Sequence, residues 1–149
     1  MAKSKYQQAM NKHSKSGEKG HGLIPSAVTE LKRSTEDQTP LFSFEHLCEN
    51  NFYLHNLGKQ ELKELHNFLK KSSKMTWKQI RMSDGIKYKT IPRSSLTARV
   101  PSSVPDDASI DEMRVTQEHR IFGFKVNGIF NVIWFDPTHD VCPEGKKRR

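Results

Sequence analysis

Apolar positions are densest between Ile110 and Pro143, where EMRV, HRIFGFKV and IFNVIWFD (residues 112–115, 119–126 and 129–136) read as three strands rich in β-branched and aromatic residues. Asn127-Gly128 separates the last two and is a strong signal for a two-residue type I′ hairpin. Such a loop sets the register, with Val126 opposite Ile129, Phe124 opposite Asn131, Phe122 opposite Ile133 and Arg120 opposite Phe135. Strict alternation then puts Phe130, Val132 and Trp134 on one sheet face, expected against a helix carrying Leu62, Leu65 and Leu69.

Upstream the rhythm changes. LFSFEHL after Pro40 suits a first strand with Phe42, Phe44 and His46 on one face, whereas CENNFYLHNL is ambiguous between helix and strand. From Gly58 onward Leu62, Leu65, Phe68 and Leu69 recur at helical spacing, and Ser72-Ser73 interrupts the pattern. Thr76 is placed to cap a second short helix, WKQIRM, that buries Trp77 and Ile80. Ser83-Asp84-Gly85 is a turn, IKYKTI alternates like a strand, and a long loop over residues 92–109 holds three prolines with Arg93 and Arg99. The expected architecture is α+β, a small antiparallel sheet of three to five strands packed on an N-terminal helical pair.

Composition divides the chain of 149 residues. Residues 1–39 are rich in Lys, Ser, Gly, Gln and Thr, with only Leu23, Ile24, Val28 and Leu31 able to anchor a helical turn, so a mostly disordered basic tail is expected. Residues 40–145 form the domain, and 146–149 are a basic end, KKRR. No apolar run reaches the roughly 18 to 20 residues of a membrane helix, and the N-terminus lacks an apolar export signal, so no membrane contact and a cytoplasmic location are expected. Cys48 and Cys142 form no CxxC pair, and reduced thiols are expected. A formal charge of +8 points to a polyanion such as nucleic acid, with the tail lysines and KKRR as salt-sensitive phosphate contacts, or to a basic but solvated surface.

The hairpin register gives the chemistry a place. Arg120 opens its strand beside the end of the next, which leaves through Asp136-Pro137 to His139, so an arginine and a histidine share one end of the sheet. Arg114 and His119 lie near that end, with Gln117-Glu118 as a further tight turn. Arginine holds phosphate through two donors and histidine moves a proton near neutrality. Together they suit cleavage of RNA by its own 2′-hydroxyl, a reaction that needs no metal or cofactor; a structural histidine and a surface arginine are the alternative. His55 and His66 belong to no compact cluster of ligands and are expected to be surface residues.

The segment Met113-Arg114-Val115-Thr116-Gln117-Glu118-His119-Arg120-Ile121 resembles the Arg-Ile-Thr-x-x-His-Arg-Leu segment of YoeB-type toxins in the RelE/ParE superfamily. The order HRIFGFKV, NG, IFNVIWFD, PTH is similar to theirs, and the likeness runs from about Phe42 to Pro143, in detail over the last thirty or so residues. It implies a RelE-like fold and a type II toxin. Such a toxin is a metal-independent mRNA endoribonuclease, free or ribosome-dependent, restrained by an antitoxin. By this likeness Arg120 stabilises the transition state, His139 is general acid and Glu112 is the candidate base. Arg114, His119, Lys125, Arg93 and Arg99 are the candidate substrate-binding residues. Asp140 follows His139 where the toxins carry Tyr, and Cys142 stands where related toxins often have it. That departure leaves two other readings, a non-catalytic superfamily toxin acting on a protein such as DNA gyrase, and a nucleic-acid-binding accessory protein.

Overall fold

A computed structural model describes residues 34–145, an α+β unit with two helices and a five-stranded mixed sheet. In chain order the elements are β1 (Leu41–Ser43), α1 (Lys59–Ser72), α2 (Trp77–Met82), β2 (Lys89–Ile91), β3 (Ile110–Arg114), β4 (Arg120–Val126) and β5 (Ile129–Asp136). The sheet order is β1-β5-β4-β3-β2, antiparallel except that β1 runs parallel to β5. The expectation of a purely antiparallel sheet is therefore corrected. The helical pair and β2–β4 lie between β1 and β5 in sequence, and β1 joins at the far edge beside the last strand, in its direction.

Local chemistry sets the helix limits. At the start of α1 the Glu61 carboxylate accepts the Gly58 N–H at 2.6 Å, satisfying one of the orphan donors of a first turn. Thr76 and Gln79 form a reciprocal capping box at the start of α2. Leu65 and Phe68 of the expected stripe are buried and Leu69 is partly so, but Leu62 remains exposed. Trp77 and Ile80 are fully buried, as their spacing predicts.

The sheet has two covered faces. Leu57, Leu65, Phe68, Trp77, Ile80 and Ile86 pack with Met113, Ile121, Phe130, Val132 and Phe135 on the helix side. Ile91, Ile110, Phe122, Phe124, Ile133 and Trp134 pack on the opposite side with Ala98 and Val104 of the long loop, Cys48 and Val141. The loop over residues 92–109 thus covers half the core. It contains one short 3-10 turn, Arg93–Ser95, and is stitched to the chain end by the Thr97 N–H, which donates to the Val141 carbonyl at 2.8 Å.

At the hairpin, Asn127 and Gly128 both take positive φ, +48° and +80°, as a type I′ turn requires. The expected register holds from Val126↔Ile129 through Gly123↔Val132 and then slips by one: Phe122 pairs with Trp134 and Arg120 with Asp136. The cause is a β-bulge at Phe122/Gly123, where β5 advances two residues against one on β4. Phe130 and Val132 therefore face the helices as expected, whereas Trp134, beyond the bulge, joins the loop-side core. Gly123 makes this possible, because a Cβ there would be driven into the Asn131 carbonyl oxygen and to 2.8 Å from the Phe130 ring. Gly123→Ala is expected to cost about 1 to 3 kcal/mol or more through overpacking. Chemical denaturation measures this, and an unchanged midpoint would contradict the close approach.

Two strands are shorter than their patterns predict. β1 stops at Ser43, so Phe42 packs edge-on to Phe130 while His46 lies against Phe124 in the other core, and the expected common face of Phe42, Phe44 and His46 does not form. β2 begins only at Lys89, because the turn after α2 sends Ile86 into the helix-side core and Lys87 adopts φ +46°. CENNFYLHNL forms no α-helix and no strand, only one 3-10 turn. Its Cys48 N–H donates to Ile133 and its Phe52 carbonyl accepts from Phe135, extending the β5 edge, before a short turn at Leu54–Asn56.

Residues 34–39, expected to belong to the tail, dock on the domain. Glu36 accepts from Arg81 at 2.9 Å and Lys125 at 3.0 Å, and Lys125 first, with Arg81, holds its carboxyl below the usual range. The Gln38 carbonyl accepts the Trp77 N–H. The expected tail disorder, the tail lysines, the turn near Leu23–Leu31 and the KKRR end lie outside the described residues. Among the described residues no helix is long and apolar enough to cross a membrane.

Candidate functional site

Neighbouring strands bring Glu112 and Arg120 together. Glu112, on β3, sits beside Lys89 of β2 and Phe122 of β4 in the strand ladder, and its side chain turns toward the loop side. Its Oε1 accepts from Arg120 Nε at 3.2 Å and lies 3.5 Å from Lys89 Nζ, while Oε2 is buried without a partner. Arg120 Nη1 donates to the carbonyls of Thr116 at 2.8 Å and His119 at 3.1 Å, closing the β3–β4 turn from within, and Nη2 takes no partner among the described residues. Glu112 and Arg120 are only 2% and 3% exposed, so this ion pair also holds the fold together.

His139 lies in the loop leaving β5, at the same end of the sheet as Arg120, whose ladder partner is Asp136. Asp136 is fully buried and accepts three backbone N–H groups, from Thr138 at 3.2 Å, Asp140 at 3.0 Å and Val141 at 2.8 Å. That carboxylate cap folds the loop over itself and sets His139 at φ +63°, with Nε2 buried and unpartnered. No hydrogen bond joins His139 to Arg120 or Glu112. Cys142 is half-buried nearby; burial, and then the Glu112 charge, push its thiol up, which makes it a poor nucleophile. Both Cys48 and Cys142 are free.

The other candidates disperse. Lys125 lies at the opposite end of β4 and on the helix side, bonded to Glu36 and 4.5 Å over the Trp77 ring, which removes it from any shared site with Arg120. His119 turns its ring away from Arg120 toward α1, and only its carbonyl meets the guanidinium. Arg114 has a buried, unpartnered Nε and lines a small cleft with Glu64, Asn67 and Lys71. Arg93 ties the loop closed, its Nη2 donating to the Pro105 and Ala108 carbonyls at 2.7 and 3.0 Å. Exposed Arg99 shares with it a cleft of about 430 Å³ that Asn50, Asn51 and Asp106 also line. His55 stacks on Tyr53 and His66 is exposed, as expected.

Several structural carboxylates escaped sequence reasoning. Asp111 accepts from Tyr88 Oη at 2.5 Å and Thr90 Oγ1 at 2.7 Å, and burial followed by that hydrogen bond raises the Tyr88 pKa. The Asp111 and Thr90 pairing was hidden because it depends on β2 lying against β3 across the long loop. Asp136 had a legible signal, an Asp-Pro at a strand end. Among the described residues no group of three or more His, Cys, Asp or Glu is placed to hold a metal ion. Comparison with protein-family models, curated proteins and solved structures finds no match.

Proposed function

We propose that this chain is a RelE/ParE-like toxin acting as a metal-independent mRNA endoribonuclease, with Arg120, Glu112 and His139 as its reacting groups. The observation that carries this reading is the Glu112–Arg120 contact of 3.2 Å at the sheet end from which His139 departs. The element order supports it, since a strand, a helical pair and a further strand precede three antiparallel strands, as the resemblance implies.

In this reading the RNA 2′-hydroxyl attacks the adjacent phosphorus and passes its proton to Glu112, whose Oε2 holds no hydrogen bond. The bond to the 5′-oxygen breaks, His139 supplies that oxygen with a proton, and the products carry a 2′,3′-cyclic phosphate and a 5′-hydroxyl. Arg120 stabilises the charge on the phosphorane through Nη2. Arg99 and Arg93 are candidate backbone contacts from the loop. RNA on or off the ribosome is the substrate and a cognate antitoxin the partner.

The test is cleavage of mRNA by the full chain, with and without ribosomes and in the presence of EDTA. Wild type is expected to leave 2′,3′-cyclic phosphate ends. His139→Asn suits the left-handed backbone and removes the acid, so it should lose on the order of 10²-fold or more in rate. Cleavage equal in the variant, or absent from wild type in both formats, overturns the reading. The near-complete burial of Glu112 and Arg120 favours a second one, a non-catalytic toxin of the same superfamily inhibiting a protein target such as DNA gyrase. Growth arrest that survives His139→Asn with mRNA intact would select it.

A further inference from the structure

A cleft of about 570 Å³ opens on the helix side, between the first turns of α1 and the β3–β4 turn. Lys59, Glu61 and Glu64 line it from the helix, and Glu118, His119 and Pro137 from the sheet end. Three carboxylates against one ammonium make it acidic in a chain whose formal charge is +8. His119 is 1% exposed, and neither ring nitrogen has a hydrogen-bond partner. Buried polar atoms are nearly always satisfied, yet the described residues supply neither ring nitrogen of His119 with a partner at the wall of this cleft.

The lining selects the ligand's charge. The Gly58 N–H at the helix start is already taken by Glu61, and an anion entering the cleft would meet three carboxylates. The described residues place no set of three donors for a metal ion. A group with positive charge and several N–H donors suits the carboxylates and the acceptor nitrogen of a neutral imidazole together. We propose that this cleft binds an organic cation, an ammonium or guanidinium group, between Glu64, Glu118 and His119. The volume is in the range of small-molecule sites. The source is a free polyamine or a lysine or arginine side chain of a partner protein. The proposal does not rest on the ribonuclease reading.

Proton linkage follows from the groups facing the imidazole. Burial holds the His119 pKa below its usual value, Glu64, Glu61 and Asp136 draw it back upward, and Arg120 lowers it. The neutral ring therefore prevails at pH 7, and cation affinity should be full above the His119 pKa and fall as the pH drops through it, because an imidazolium repels the ligand.

The experiment titrates the full chain with spermidine and, separately, with an arginine-rich peptide, reading heat and the His119 ring resonance. One-to-one saturable binding of either probe is expected. Spermidine alone would assign a free polyamine, and the peptide alone a partner's side chain. The double variant Glu64→Gln, Glu118→Gln changes no fully buried residue and should weaken binding by about tenfold or more with unfolding unchanged. No saturable binding of either probe, equal affinity in the variant, or a His119 shift driven by inorganic phosphate or zinc instead, overturns the proposal.

Discussion

Trp134→Ala is expected to lose about 3 to 5 kcal/mol of stability. Trp134 is fully buried on the loop side of the sheet, edge-on to Phe122 with ring centroids 6.3 Å apart, among Ile133, Ala98, Val104 and Val141. Its removal leaves a cavity between a sheet and a loop with no regular structure beyond one 3-10 turn, and a loop held mainly by that core should loosen first. Hydrogen exchange in the variant should therefore rise over residues 92–109 before it rises in α1. Trp134→Phe should cost far less, since the indole N–H has no partner to lose. Trp77→Phe, by contrast, gives up the hydrogen bond of 3.0 Å from Nε1 to the Gly128 carbonyl and the Lys125 contact above the ring. A Trp134→Ala protein as stable as wild type, or one that first exposes α1, would place this residue wrongly.

Arg120→Ala should also be destabilising, by about 3 to 5 kcal/mol, because it strands the Glu112 carboxylate in a buried site. Lys89 Nζ, at 3.5 Å and on a half-exposed side chain, is too well hydrated to replace it. The same substitution frees the carbonyls of Thr116 and His119, so the β3–β4 turn loses its internal tie. Arg120→Met combined with Glu112→Gln removes the stranded charge and should recover part of the loss. Thermal unfolding of the three proteins decides. Equal stability of Arg120→Ala and wild type would mean that the pair is solvated, and a double variant no better than the single would locate the damage in the turn. Loss of RNA cleavage in Arg120→Ala alone therefore reports folding as well as chemistry, which is why His139→Asn, where no buried ion pair is broken, is the cleaner test of mechanism.

Much of the local structure was legible because it depends on short-range chemistry. The Thr76 cap, the burial of Trp77 and Ile80, the Asn127-Gly128 turn and the three C-terminal strands follow from spacing and backbone preference alone. The break in legibility falls at Gly123. A glycine inside a strand pattern is a signal for a bulge, but which partner residue the bulge displaces is settled by packing across the sheet. One extra residue moved Trp134 to the other face and paired Arg120 with Asp136.

The candidate site divided along the same line. Strand order brought Glu112 to Arg120, a pairing that sequence reasoning proposed only through a resemblance. The side chains of Lys125 and His119, which alternate with Arg120 along the chain or sit beside it, went to the helix side because neighbours on a strand point in opposite directions. Sequence by itself determined the elements, the turn chemistry and the presence of arginine, histidine and carboxylate near one strand end, since each is written within a few residues. Only the tertiary structure decided that the Glu112–Arg120 pair is buried, that Asp136 cages the His139 turn, and that His119 faces a separate acidic cleft. Those outcomes depend on contacts between residues far apart in the chain, on a one-residue slip in register, and on which apolar surfaces the long loop covers.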